Sequence, residues 1–373
     1  MSNRANPMKN SRVYNFSAGP GALPLSVLQR AQEELLGFRG MGMSVLEMSH
    51  RSDRFKQILS DTRDNMRVLL NLSEDYHILF LQGGATLQFS MIPMNLLRDS
   101  GRCANYVVAG TWGKKAVKEA RREGQACVIW DGEPEGFSRM PRPNEWQSDS
   151  DAAYVHLTSN ETIHGLQMHW EPEAVSCPLV CDMSSDFLSR PIAAECYDLI
   201  YAGAQKNAGP AGVTVVILRE ELLERVSASL HALLDYRVHV GADSMYNTPP
   251  VFSIYMVNLV TQWLLQEIGG LRKMAAVNTE KAAMLYQAID ESDGFYSGHV
   301  QADSRSRMNV TWRISDSKLE PIFLTQALRR GMHNLKGHRS VGGLRASIYN
   351  AMPLQGVRTL RDFMHEFREE YSH

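Results

Sequence analysis

A single lysine, Lys206, lies between two apolar segments of the sequence. The first runs from Leu199 to Ala202 and the second from Val213 to Leu218, and both are typical of strands inside a sheet. No acidic residue lies close to Lys206 along the chain, so we expect poor solvation and a lowered amine pKa. A neutral amine is the form that makes a Schiff base with an aldehyde. An isolated lysine is more commonly an exposed loop residue, so the rest of the chain must supply its partners.

The elements that would position Lys206 alternate between strand and helix. Apolar runs predict seven strands, at 77–81, 104–109, 126–130, 153–157, 178–182, 199–202 and 213–218. The link between the last two strands is too short for a parallel crossover, so this pair is predicted to be antiparallel or non-adjacent. The other links between consecutive strands are long enough for parallel crossovers. The pattern predicts an α/β fold with a seven-stranded, mostly parallel sheet that is covered by helices on both faces.

A glycine-rich turn follows the first of these strands. Gly83, Gly84, Ala85 and Thr86 open a predicted helix, and the N–H groups at a helix start can hold a phosphate. Such a turn is usually only a connection. No Gly-Lys-Ser/Thr follows, and Gly-x-Gly-x-x-Gly is absent, which argues against a nucleotide loop of either kind.

Asp182 and Trp112 follow two other strands of the same predicted sheet. A buried Asp182 carboxylate needs a cationic or hydrogen-bonding partner, for which a protonated pyridine nitrogen and a local cap at Ser184 or Ser185 are alternatives. Trp112 can stack on a flat ring or simply pack. Ligands of open α/β sheets bind beyond the carboxyl ends of the strands. A lysine, a carboxylate, a stacking ring and a helix start at this edge together indicate pyridoxal phosphate.

With 373 residues, the chain is expected to form two domains. Residues 1–13 are predicted to be a flexible extension, 14–269 a large cofactor-binding domain and 270–373 a small α+β domain. The lead-in after residue 13 is predicted to be a loop, with packing on the small domain as an alternative to the large one. Other predictions are helices at 26–39, 52–70, 252–267, 271–289, 320–330 and 357–371, and strands at 307–313 and 342–348.

Amino-acid composition limits the classes of binding partner and the cellular compartment that we expect for this protein. A formal net charge of −2 gives no reason to expect nucleic acid or an anionic membrane. Five cysteines without a Cys-x-x-Cys pair predict free thiols in a reducing compartment. The polar N-terminus is no secretory signal, and the apolar part of residues 244–266 is too short to span a bilayer. The prediction is a cytoplasmic protein without a metal site.

Several long motifs resemble one known family. The chain from Tyr14 onward resembles the phosphoserine aminotransferase family, a branch of the fold-type-I, class-V aminotransferases. The matching segments are Ser44-Val-Leu-Glu-Met-Ser-His-Arg51, Ala202-Gly-Ala-Gln-Lys-Asn207, Asn247-Thr-Pro-Pro250, Lys336-Gly-His-Arg339 and Val341-Gly-Gly-Leu-Arg-Ala-Ser-Ile-Tyr-Asn-Ala-Met-Pro353.

The resemblance implies cofactor contacts. Lys206 would form the Schiff base with pyridoxal 5'-phosphate and shuttle a proton, and Asp182 would pair with the ring nitrogen. Trp112 would stack on the ring, and Thr162 would approach its phenolic oxygen. The cofactor phosphate would be held by Ala85, Thr86 and Gln205, with Asn247 and Thr248 from the other subunit of a homodimer.

The resemblance also implies substrates and their contacts. The reaction would transfer an amino group between L-glutamate and 3-phosphohydroxypyruvate for serine biosynthesis, and bacterial relatives commonly also serve pyridoxine biosynthesis. Arg345 would bind the α-carboxylate. The distal phosphate or carboxylate would be bound by His50 and Arg51, from the partner subunit, and by His338 and Arg339. Some members have an arginine where this chain has Thr86, which leaves open how phosphate binding is shared.

Three other functions remain as alternatives. Another class-V enzyme, such as a serine–glyoxylate aminotransferase, would share most of these motifs. A desulfurase needs a nucleophilic cysteine on a mobile loop, and none of the five cysteines has such a position. A non-catalytic protein of the same fold would need neither Lys206 nor Asp182.

Overall fold

The computed structural model describes residues 12–173 and 175–372. Most of the predicted N-terminal extension therefore lies outside the described residues. The strands are β1 (Tyr14–Asn15), β2 (Tyr76–Leu81), β3 (Cys103–Val108), β4 (Gln125–Asp131), β5 (Val155–Thr158), β6 (Asn160–Glu161), β7 (Leu166–Gln167), β8 (Leu179–Asp182), β9 (Leu199–Gly203), β10 (Thr214–Arg219), β11 (Tyr296–Ser297), β12 (Asn309–Ile314), β13 (Met332–His333) and β14 (Leu344–Ser347). The α-helices are α1 (Leu25–Glu34), α2 (Asp53–Leu70), α3 (Gly84–Leu96), α4 (Thr111–Ala120), α5 (Tyr236–Gly241), α6 (Val251–Trp263), α7 (Leu271–Asp290), α8 (Glu320–Arg329) and α9 (Leu354–Tyr371).

The central sheet has the order β2-β10-β9-β8-β5-β3-β4. Strands β9, β8, β5, β3 and β4 are parallel, whereas β10 is antiparallel to both β9 and β2. This confirms a seven-stranded, mostly parallel sheet. Strands β9 and β10 are adjacent and antiparallel, because the link between them is too short for a crossover.

Burial explains why the strand predictions succeed. Every residue of β5, β8 and β9 is buried, which is expected of strands that carry helices on both faces. Their continuous apolar sequence is the direct signature of that environment. Since these strands are parallel, their carboxyl ends meet at one edge of the sheet.

The ends of the first two helices differ in how well the sequence predicts them. Helix α2 begins after Ser52, whose hydroxyl accepts from the Phe55 N–H, and ends at Asn71 in the left-handed region, as predicted. The prediction that α1 continues to Arg39 is wrong. The helix ends at Glu34, and Gly37 is extended before a short 3₁₀ turn, Phe38–Gly40.

Helix α6 lies within the longest uncharged part of the sequence, residues 244–266. Its residues 254–261 are all buried, as predicted for an internal helix. The predicted single helix to Glu267 becomes a π-helical turn after α6, Leu264–Ile268, and it ends at Gly269 in the left-handed region. Within the described ranges, no helix combines the length and apolar character that a membrane crossing requires.

A second hydrophobic core lies in the C-terminal part. The antiparallel strands β11, β12 and β14 pack with α7, α8 and α9 around Trp312, Phe323, Phe363 and Phe367. Helix α7 contributes its first turns to the large core and its later turns to this second core. The domain boundary at Gly269 stays a prediction.

The N-terminal lead-in is not entirely a loop, contrary to the prediction. Strand β1 pairs in parallel with β13, and Phe16 is buried in the second core. Because this pairing joins two short segments from opposite ends of the chain, no local sequence pattern predicts it. From there the lead-in continues toward the carboxyl edge of the central sheet.

Candidate active site

A cavity of about 280 Å³ opens at the carboxyl edge of the central sheet. The structure brings together there most of the residues that the sequence predicts for one site: Ala85, Thr86, Trp112, Thr162, Asp182, Gln205, Lys206, His338 and Arg345. They come from both the central sheet and the C-terminal part of the chain. The short β9–β10 link, which carries Lys206, lies in the middle of this group.

The backbone around Lys206 is fixed on two sides. The Ala204 N–H donates to the Val213 carbonyl at 3.1 Å, which closes the link between β9 and β10. On the other side, the Gly21 N–H donates to the Gln205 carbonyl at 2.7 Å. A Cβ at Gly21 would lie 2.8 Å from the Lys206 carbonyl oxygen, so only glycine permits this approach of the N-terminal lead-in.

The Lys206 ammonium points into the cavity and donates to the Thr162 hydroxyl at 2.8 Å. Burial lowers the pKa of Lys206 to about 8, although the Asp182 and Glu161 carboxylates act against this shift. The sequence predicts the lowered pKa. It does not predict the two carboxylates, because they come from other strands.

Asp182 is the last residue of β8 and is buried. Its Oδ1 accepts from the Ser184 N–H at 2.8 Å, so the local cap considered from the sequence does form. The carboxylate nevertheless lines the cavity. Burial raises the pKa of Asp182, and the Lys206 ammonium opposes that change. Asp182 is therefore capped and also available to a cation in the cavity.

Trp112 follows β3, as predicted, and lies in the first turn of α4. The Lys206 Nζ is 5.6 Å from the centroid of its ring, and the Lys115 Nζ is 4.2 Å from it. The indole therefore lies beside the amine, where it can stack on a flat group that is attached there.

The start of α3 forms another wall of the cavity. Gly83 has a φ of 88°, which turns the chain sharply from β2 into the helix, and the first turn of α3 contains no acidic residue. A Cβ at Gly203 would meet both Gln205 Oε1, at 3.5 Å, and Ala85 Cβ, at 3.8 Å, so Gln205 lies next to this helix start. The positive end of α3 is thus available to an anion.

Two basic residues of the C-terminal part reach the cavity. Arg345 on β14 donates from Nη1 to the Thr162 carbonyl at 3.2 Å, and burial lowers its pKa. The charged groups that act on Arg345 within the described ranges include no carboxylate. His338 lines the cavity with its ring next to the Ser340 hydroxyl, and the Arg339 side chain is exposed.

Besides the exposed Arg339, four predicted site residues do not line the cavity of their own chain. His50 is half-buried and Arg51 is exposed ahead of α2. Asn247 donates to the Gln82 side chain at 3.0 Å, and the Gln82 amide donates to the Thr248 carbonyl at 2.8 Å. Their predicted roles involve a second subunit, and those roles stay predictions.

The sequence interpretation missed several residues of the site. Thr158, the last residue of β5, lines the cavity, as do Ser184 and Ser185 after Asp182. The buried Glu161 carboxyl on β6 lies behind the cavity wall, where it accepts from the Trp112 N–H. A segment of five polar residues, 158–162, directly after an apolar strand was a usable signal.

Comparison with known proteins agrees with this geometry. The family model "Aminotransferase class-V" matches residues 13–360. The chain is 53% identical to the phosphoserine aminotransferase of Laribacter hongkongensis, over 96% of this chain and 99% of the relative. It is 52% identical to that of Geobacillus kaustophilus, over 97% and 99%.

Solved structures give the same result. The phosphoserine aminotransferase from Bacillus circulans subsp. alkalophilus superposes with a TM-score of 0.94 at 48% identity, over 97% of this chain and 99% of that one. The Trichomonas vaginalis phosphoserine aminotransferase, described as PLP bound, has a TM-score of 0.89 at 41% identity, over 95% and 100%. The chain therefore belongs to the class-V aminotransferase family and, within it, to the phosphoserine aminotransferases.

Proposed function

We propose that the cavity binds pyridoxal 5'-phosphate and that the protein transfers an amino group from L-glutamate to 3-phosphohydroxypyruvate. The products would be O-phospho-L-serine, for serine biosynthesis, and 2-oxoglutarate. One observation carries this proposal. Lys206, Asp182, Trp112 and the start of α3 line a single cavity, together with an arginine that no carboxylate neutralises within the described residues.

The residues present fit this cofactor. The Thr158 Oγ1 is buried at the cavity and has no hydrogen-bond partner among the described residues, so it can bind a polar ring substituent. The start of α3 offers N–H groups to a phosphate, and Asp182 offers a carboxylate to a protonated ring nitrogen. When bound, the cofactor supplies an aldehyde for the amino group and an electron-withdrawing ring.

Lys206 carries two tasks in this proposal. Its amine would hold the cofactor at its aldehyde group, and the free amine would move the proton at the substrate Cα. Both tasks need an amine that is neutral for part of the time near neutral pH, which burial provides. The Thr162 hydroxyl, 2.8 Å away, orients the amine.

Asp182 would keep the ring nitrogen protonated. A buried carboxylate with a raised pKa is stabilised by a neighbouring cation, and a pyridinium in the cavity would be such a cation. The Ser184 N–H fixes the rotamer through Oδ1. Trp112 would hold the ring from one face by stacking.

The basic residues would select substrates with two anionic groups. The fork of the Arg345 guanidinium suits bidentate capture of the α-carboxylate that glutamate and phosphoserine share. His338 and Arg339 lie between Gly337 and Gly342 and would bind the distal phosphate or carboxylate. Burial, with Arg345 as the next cause, lowers the pKa of His338, and a bound dianion would reverse that effect.

A homodimer would complete the site. The partner's His50 and the partner's Arg51 would join His338 and Arg339, and the partner's Asn247 and the partner's Thr248 would add to the phosphate site. All four lie outside the cavity of their own chain, and all four have exposed or half-buried side chains. We assign the enzyme to the cytoplasm, for which its five free thiols are the supporting observation.

Absorption spectroscopy tests this proposal. Purified protein that has been supplied with pyridoxal phosphate should be yellow, and L-glutamate should convert the spectrum to that of the amine form. 3-Phosphohydroxypyruvate should restore the original spectrum faster than glyoxylate or pyruvate does. A protein that turns over glyoxylate in preference to 3-phosphohydroxypyruvate would instead be a glyoxylate-dependent aminotransferase.

A further inference from the structure

Three consecutive residues after β5 each attach a different part of the site. Asn160 donates to the Ser185 hydroxyl at 2.7 Å and to Asn309 on β12 at 2.8 Å. Thr162 accepts from the Lys206 ammonium. Between them, Glu161 is directed toward α4, and neither the proposed chemistry nor the substrate contacts give it a role.

The Glu161 carboxylate caps the first turn of α4. Its Oε2 accepts from the Trp112 N–H at 3.1 Å, and its Oε1 accepts from the Gly113 N–H at 2.9 Å. Gly110 precedes the helix and offers no side-chain cap of its own. The carboxylate therefore fixes the backbone of the residue whose ring lines the cavity.

The packing around this carboxylate leaves no space. A Cβ at Gly110 would lie 2.5 Å from Glu161 Cδ and 2.7 Å from its Oε2. Gly110 has a φ of −177°, which is extended backbone that any residue adopts. Glycine is required at this position to make room for the carboxylate and not for its backbone conformation.

Glu161 is also completely buried. Burial raises its pKa to about 7, while the two N–H donors of α4 act in the opposite direction. Asp182 and Lys206 are the charged groups that act on it. A fold that needed only to cap a helix would use an exposed serine or aspartate, since a buried glutamate costs desolvation.

We propose that Glu161 is a positioning residue, whose carboxyl group holds the first turn of α4 so that the Trp112 ring lies against the cofactor. This inference rests on the proposed function, because it assigns Glu161 to the stacking wall of the same site. Glu161 itself does not line the cavity.

A double-mutant cycle on cofactor affinity tests the inference. The four apoproteins are wild type, Glu161→Gln, Trp112→Ala and the double variant, each titrated with pyridoxal phosphate and monitored by absorbance. Loss of a charged hydrogen-bond acceptor should raise the dissociation constant of Glu161→Gln at least about tenfold. In the Trp112→Ala background, the same substitution should change it less than about twofold, because its effect passes through the ring.

Gly110→Ala is a second route to the same displacement. The added methyl group should move the Glu161 carboxylate and weaken pyridoxal phosphate binding, although Glu161 and Trp112 both remain. Gly37→Ala is the matched control, since Gly37 is also extended, at a φ of −158°, and a Cβ there would meet no atom within 4 Å. It should bind the cofactor as wild type does.

Two results would overturn the inference while wild type binds the cofactor normally. One is equal weakening by Glu161→Gln in both backgrounds, and the other is wild-type affinity in both Glu161→Gln and Gly110→Ala. If wild type itself fails to bind pyridoxal phosphate, the proposed function is wrong and the role of Glu161 is wrong with it. Thermal unfolding of each apoprotein shows that the variants are folded at the titration temperature.

Discussion

Two lysines of this protein are shielded from solvent, Lys206 partly and Lys281 completely, and they have opposite surroundings. Lys206 lies in a cavity, with Thr162 as its hydrogen-bond partner and two carboxylates near it. Lys281 on α7 is fully buried, and the three N–H donors of its ammonium are shared among four main-chain carbonyls, those of Ile348 at 2.9 Å, Tyr349 at 2.8 Å, Asn350 at 3.4 Å and Met352 at 3.3 Å. Burial lowers the pKa of both, to about 8 and about 7.

The comparison shows that a lowered pKa does not make a lysine reactive. The Lys281 ammonium donates hydrogen bonds to the carbonyls of the turn after β14. In the part of the chain that the structure describes, Lys281 lines none of the five main cavities. Those carbonyls favour its charged form, against the effect of burial. Lys206 has one exchangeable partner, an open side and a carboxylate from β8. Access and neighbours separate a catalytic lysine from a structural one.

Removing the amine of Lys206 should have the largest effect on activity. In Lys206→Ala, the covalent attachment and the proton carrier are both lost, so we expect turnover to fall at least about a thousandfold. Steady-state kinetics with L-glutamate and 3-phosphohydroxypyruvate measures this. Thermal unfolding of the apoprotein should change little, since Lys206 occupies a cavity. Full turnover in this variant would refute the assigned role.

Removing the Asp182 charge beside Lys206 should have the second largest effect on activity. Asp182→Asn keeps the shape and the cap with Ser184 but removes the counter-charge of the ring nitrogen. We expect kcat to fall on the order of a hundredfold, since one preorganised electrostatic contact is lost. The absorption maximum of the bound cofactor should shift as well. An unchanged spectrum with unchanged kcat would show that Asp182 does not contact the ring.

The pH dependence of cofactor capture tests the lowered pKa of Lys206. Because the pKa of Lys206 is lowered to about 8, its neutral fraction rises as the pH passes through that value. The rate at which the apoprotein captures pyridoxal phosphate should increase roughly tenfold from pH 7 to pH 9 and then level off. Stopped-flow absorbance measures it. A rate that still rises steeply above pH 10 would indicate an ordinary solvated lysine.

Substitution of Lys281 should affect stability and leave the chemistry intact. In Lys281→Met, buried carbonyls lose their donor, so the free energy of unfolding should fall by about 1–3 kcal/mol. Turnover per folded subunit should stay near wild type. Lys273→Met is the control on the same helix, because Lys273 is exposed. If Lys281→Met lost much of its kcat without losing stability, Lys281 would not be the structural lysine that this comparison makes it.

The sequence predicts the strands and the general edge where ligands bind. Continuous apolar runs predict β5, β8 and β9 because both faces of these strands are covered. Parallel pairing then places the residues after each strand at one edge. Lys206, Asp182 and Trp112 follow from that reasoning, as does the antiparallel β10, since its link to β9 is short.

Contacts between distant segments are not predictable in this way. The roles of Glu161 and Lys281 depend on partners far along the chain, the first turn of α4 and the turn after β14. In the sequence, Lys281 is indistinguishable from the solvated lysines of a long helix. The pairing of β1 with β13 cannot be predicted from the sequence either, because the two strands are far apart along the chain. The proposed substrates rest on whole-chain resemblance and not on any single pattern.

Chemical trapping of the cofactor tests the central claim most directly. Borohydride reduction of the protein with bound pyridoxal phosphate makes the attachment permanent, and peptide mass spectrometry then locates the modified residue. The account predicts stoichiometric modification of Lys206 and none of Lys281. Stoichiometric modification at any other lysine, or equal labelling of the Lys206→Ala variant, would contradict it.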